Sequence, residues 1–260
     1  TSDVNANFAH ESSEAVPSGT NSARKNSARI IPNEEKGPGS GAVDDANVGC
    51  EVGEDCPDAK YSYLTANLDV ELVGYKTAAE AQAMDDGAIP QEVLDSGGVL
   101  VYILPTRIMV SNSTVYAEPA IGSADPAPTG PQLMRIRYTC DPTDPDRPCD
   151  ETDQGRVKGW IVEEGDTPQF VTNLQLYLDA PKLSPVLNLV TSFTLTHNLH
   201  SYPLDLQLKG AVTFLEDGRL QIEQISQNQL DLDVELGGVP LGLAAGIHVS
   251  IPPGDTFLNY

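Results

Sequence analysis

An all-β, antiparallel fold is predicted for this 260-residue chain by three observations. From Tyr61 onward apolar residues take every second place, the period of a strand buried on one face. The alternating runs are short and are separated by Gly, Pro, Asn and Asp. Only the stretch near 77–96 carries helix-start chemistry. Successive strands with one wet face close up either as a β-sandwich or as a curved or closed barrel, and the alternation fits both.

The first strand alternates Leu64, Ala66, Leu68, Val70 and Leu72 with Thr65, Asn67, Asp69 and Glu71. Thr77 and Glu80 form a capping-box pair at the head of a short helix, Ala78–Met84. A second helical turn starts near Pro90 and stops at Gly97-Gly98. Val99–Leu104 is apolar throughout, as a central strand would be, and Pro105 separates it from a strand over Arg107–Tyr116. Ala120–Gln132, rich in Pro, Gly and Ala, is expected to be a loop. Met134, Ile136, Tyr138 and Cys140 then share a face, and Lys158–Glu163 is a strand around Trp160. Phe170, Thr172, Leu174, Leu176 and Leu178 form the most regular face. Leu187, Leu189, Phe193 and Leu195 follow, then Leu204, Leu206, Leu208, Val212 and Phe214. Asp217-Gly218 signals a hairpin before Leu220. Leu230, Leu232, Val234 and Leu236, and finally Ile247, Val249 and Ile251, complete the series. The recurrence of Leu68–Leu72 as Leu232–Leu236 reflects the small alphabet of alternating strands, not a duplication.

Residues 1–58 show neither strand nor helix period. They carry Asn, Ser, Gly and Glu, with the run Gly37–Gly41, and are expected to form a disordered spacer before a β domain over 59–260. A spacer behind a processed start at Thr1 suits an exported, envelope-tethered protein, with a lipid anchor upstream of Thr1 as one form of tether. Cysteine usage agrees with an extracytoplasmic setting. Cys50 with Cys56 and Cys140 with Cys149 are expected as local disulfides, since neither spacing fits a zinc knuckle.

The formal net charge of −23 excludes a nucleic-acid binder, which needs clustered Lys and Arg, and a polybasic membrane attachment. No apolar run reaches the roughly 18–20 residues of a transmembrane helix. Asp141, Asp144, Asp146, Asp150 and Asp153 sit in and beside the Cys140–Cys149 loop and are the candidate ligands for calcium, a hard cation that wants six to eight oxygens. Three prolines, and the lack of an EF-hand glycine and glutamate, favour a plain acidic loop instead. His197 and His200 end a strand, where residues three apart face opposite sides unless a turn intervenes. His248 faces away from Ile247 and Val249 and is expected in solvent. Asn112-Ser113-Thr114 is a glycosylation triplet that says nothing without a host. There is no nucleophile elbow, no zinc-protease helix and no phosphate loop, so nothing positive points to an enzyme and no cofactor is implied.

Three functions remain in competition. One is a non-catalytic structural or interaction module, whose outward Asn173, Gln175, Gln207, Gln221 and Gln229 could meet a protein partner. Another is a carrier that holds an apolar, lipid-like ligand in a leucine-lined interior. The third is a carbohydrate-binding module or glycan-active enzyme using tyrosine platforms drawn from Tyr61, Tyr63, Tyr75, Tyr102, Tyr116, Tyr177 and Tyr202, with Trp160.

Overall fold

The computed structural model describes residues 27–33, 35, 39–40, 45–48, 61–66, 69–85, 87–104, 107–118, 123–124, 127–137, 156–188, 191–216, 220–238 and 245–259. The early strands are β1 (Ser27–Arg29), β2 (Ile31–Pro32), β3 (Gly39–Ser40), β4 (Asp45–Val48), β5 (Tyr61–Ala66) and β6 (Asp69–Lys76). Two short helices follow, α1 (Ala78–Ala83) and α2 (Gln91–Ser96). Next come β7 (Gly98–Leu104), β8 (Arg107–Glu118), β9 (Ser123–Ala124), β10 (Ala127–Ile136), β11 (Val157–Glu164) and β12 (Thr167–Asp179). The last group is β13 (Val186–Asn188), β14 (Ser192–Thr194), β15 (Thr196–His197), β16 (Tyr202–Phe214), β17 (Leu220–Ser226), β18 (Leu230–Gly237), β19 (Ala245–Ile251) and β20 (Thr256–Asn259). The fold is all-β with two short helices, as the period-2 pattern predicts.

The main sheet has twelve strands and a branch point at β12. One edge of β12 pairs with β16 over Gln169–Leu178. Its other edge is shared: Thr167–Thr172 pair with β11, and Leu176–Asp179 pair with β10. Thirteen residues make β12 long enough for both partners. The β10–β12 pairing closes a circuit of eight antiparallel strands, β10-β8-β5-β1-β20-β17-β16-β12. From β12 the strands β11, β7 and β6 extend as a wing. A second sheet, β15-β18-β19-β2 with β3 beside β19, and a small third one, β14-β13-β9, complete the architecture. The chain crosses between the two larger sheets at β1–β2, β3–β4, β15–β16, β17–β18 and β19–β20, so they are stitched together covalently.

Ser27–Pro32, in the stretch expected to be spacer, pair with β5, β20 and β19, and Ala28 is buried. Such a short piece cannot display a period. The expected loop over Ala120–Gln132 is also partly strand. β10 begins at Ala127 and tolerates Pro128 and Gly130 through register shifts against β8.

The capping box forms as read. Thr77 Oγ1 accepts from the Glu80 amide at 3.3 Å, and the Thr77 amide donates to Glu80 Oε2 at 2.8 Å. The helices cover a small core of Ala81, Ile89, Val93, Leu100, Tyr102, Trp160, Val162 and Val171 on one face of β7, β11 and β12. The large core lies on the other face. Strands covered on both faces explain the unbroken apolar run Val99–Leu104, and also why Val171, opposite Phe170, is buried instead of wet.

Two residues assigned to buried faces are exposed. Leu72 is 50% exposed because β6 is the outer edge of the wing, kinked by a bulge between Leu72 and Gly74. Phe214 is 61% exposed at the far end of β16, where that strand turns back to pair with Leu220. The Asp217-Gly218 tip itself lies outside the described residues.

Candidate functional site

Alternation sorts the side chains of β12 and β16 cleanly. Leu174, Leu176, Leu178, Leu204, Leu206 and Leu208 enter one aliphatic cluster, while Gln175, Asp205 and Gln207 are exposed on the opposite face. The same cluster takes Ala28 from β1, Ile136 from β10, Ile222 from β17 and Leu258 from β20. Strands from around the closed circuit thus turn apolar residues towards a common interior. Leu230, Leu232, Val234 and Leu236 of β18, with Ile247 and Val249 of β19, bring the second sheet into it. A ring of about eight strands has room for its own side chains or for one small ligand.

Gln224 is the polar intruder. It is fully buried on β17, and its Nε2 donates to the Phe170 carbonyl of β12 at 3.2 Å. That bond crosses β16, which lies between them, at Gly210. A Cβ at position 210 would fall on the Glu223 carbonyl and lie 2.6 Å from Gln224 Cα. Glycine is therefore what lets β17 come this close. Gln224 Oε1 and Thr256 Oγ1 are buried and have no hydrogen-bond partner. An unpaired buried acceptor costs roughly 1–3 kcal/mol, which a donor from a ligand or water would recover. The sequence signal for Gln224 was present: a polar residue two places after inward-facing Ile222.

On the wing, polar contacts pin the helical cap. Lys158 Nζ donates to the Met84 carbonyl at 3.2 Å, and Asn173 Nδ2 to the Ala88 carbonyl at 3.0 Å. Lys209 Nζ lies 2.8 Å from Glu164 Oε2 and 3.4 Å from Glu92 Oε1 of α2. The Glu164 hydrogen bond is the main cause that holds the Lys209 ammonium above its ordinary pKa. Beneath the cap Trp160 is wholly buried, with no acceptor for Nε1.

Several expected site residues are placed differently. His197 and His200 come together, their rings stacked at 4.6 Å, because the chain turns ahead of Ser201 at φ 55°. His197 Nδ1 accepts from the Leu199 amide at 3.1 Å. Burial, with the nearby His200, holds the His197 imidazole below its ordinary pKa. Among the described residues no group of three or more His, Cys, Asp or Glu could hold a metal ion. His248 does not stand free in solvent, since its Nδ1 is 2.8 Å from Asp233 Oδ1. Trp160 and Tyr102 are buried and offer no sugar platform, whereas Tyr75 is exposed. Cys50, Cys56, Cys140, Cys149, Asp141, Asp144, Asp146, Asp150 and Asp153 all lie outside the described residues. No described helix is long and apolar enough to cross a membrane.

No family model matches the chain, and no solved structure matches it. The chain is similar to a curated protein, Alkane uptake protein B of Marinobacter nauticus, with 36% identity over 228 residues. The matched region is 84% of this chain but 19% of that protein, so the chain spans about a fifth of the length of the relative.

Proposed function

We propose that this chain is an extracytoplasmic, non-catalytic β-domain that takes part in the uptake of apolar substrates through the cell envelope, and that its closed circuit holds an apolar molecule. The observation that carries the reading is the shared aliphatic interior of β1, β10, β12, β16, β17 and β20. The name of the relative supports the choice of substrate class. A hydrocarbon makes no directional bonds, so a shell of leucines suits it: each buried methylene contributes about 0.8 kcal/mol.

A second reading is favoured by the leucines of β18, which meet those of β12 and β16 in one cluster. A filled interior belongs to a structural or interaction module that meets its partner elsewhere. Native mass spectrometry of the purified chain equilibrated with hexadecane separates the two. The carrier reading expects a bound hydrocarbon, lost in Leu206→Trp, which fills the interior while the fold persists by circular dichroism. Absence of any hexadecane adduct in the folded wild-type chain overturns the carrier reading and leaves the module.

A further inference from the structure

The outward face of β10 and β12 gathers positive charge in a chain that is otherwise strongly acidic. Arg135 and Arg137 are two apart on and just after β10, so both project to the side opposite Ile136. Their guanidinium carbons lie over one ring, that of Tyr177 on β12, at 5.6 and 5.4 Å from its centroid. Arg107 of β8 stands at the register position directly across from Arg135. Two of the chain's eight arginines, Arg135 and Arg137, therefore share one ring on this sheet face.

Arg135 is neutralised in place. Its Nε donates to Asp179 Oδ2 at 2.8 Å and its Nη2 to Ser201 Oγ at 2.8 Å. Arg137 has no such counterion among the described residues. Its Nε is buried without an acceptor, and Gln175, whose carbonyl takes the Arg137 amide, is followed across the sheet by Asp205 two strands away. Asp179 offsets the charge of Arg135, whereas Arg137 meets only the π face of Tyr177 among the described residues. An added anion would supply the missing acceptor. Planar guanidinium forks match the geometry of phosphate and carboxylate.

We propose that Arg137 and Arg135, astride Tyr177 on the outer face of β10 and β12, form a binding site for one oxyanion, a phosphate or carboxylate group. The site lies on the face opposite the aliphatic interior and does not depend on what fills that interior.

The test is calorimetric titration of the full chain with inorganic phosphate and with dodecyl phosphate below its micelle concentration, using dodecanol as the uncharged control. Arg137→Gln should weaken both phosphate probes about tenfold or more, with the fold retained by circular dichroism. Arg137→Lys should recover part of the affinity. Equal affinity for the two phosphate probes identifies a free oxyanion as the ligand. Tighter binding of dodecyl phosphate that is still lost in Arg137→Gln identifies the head of an amphiphile. No binding of either probe, or binding that Arg137→Gln leaves intact, overturns the proposal.

Discussion

Gly210→Ala tests whether the close approach of β16 and β17 is a requirement of the circuit. The new Cβ would meet the Glu223 carbonyl oxygen and carbon and, at 2.6 Å, Gln224 Cα. All three are backbone atoms of the neighbouring strand, so no rotamer change relieves the clash. Either β17 moves off β16, breaking the register Leu208↔Ser226 to Phe214↔Leu220, or β16 twists away from Phe170 on its other side. Both routes also pull Gln224 from the Phe170 carbonyl. Overpacking of a well-filled site costs roughly 1–3 kcal/mol, and rigid backbone neighbours place this one at about 3 kcal/mol. For a domain of this size that lowers the melting midpoint by about 6–12 °C. Thermal unfolding followed by circular dichroism and by Trp160 fluorescence reads the shift at two places in the fold. A midpoint within about 2 °C of wild type would refute the reasoning, because it would mean that the two strands part without loss.

Leu176→Ala, deep in the large core, should cost about 2–5 kcal/mol in denaturant unfolding, whereas Leu72→Ala on the exposed wing edge should stay within about 0.5 kcal/mol. Equal effects would show that the division between interior and edge is wrong. His197 is held below its ordinary pKa by burial and by His200. The unfolded chain therefore takes up this proton first, and stability falls as the pH drops below about 6.5 until the folded imidazole is also protonated. His197→Asn should flatten that part of the melting profile, and an unchanged slope would assign the pH dependence to other groups.

Much of the fold could be read locally. The capping box at Thr77 and Glu80, the stop at Gly97 and the alternation along β12, β16 and β18 each depend on neighbours a few residues away. The errors share a physical origin: they occur where a distant strand decides the environment. Leu72 alternates as a buried residue should, but among the described residues no strand pairs with the outer edge of β6. Val171 alternates out of the large core, and the α1–α2 cap that buries it comes from residues far away in the chain.

The sequence by itself determined the all-β class, the two helix caps and the aliphatic character of one face, because these follow from the two-residue repeat of a strand and from capping hydrogen bonds within a turn. Only the tertiary structure decided that β12 divides one edge between β11 and β10, closing eight strands into a circuit. It alone placed Gln224 across Gly210 inside that circuit and set Arg135 and Arg137 on the ring of Tyr177 outside it. Strand partners are chosen by hydrogen bonds between main chains far apart in sequence, and those bonds are made by backbone atoms that every residue carries alike.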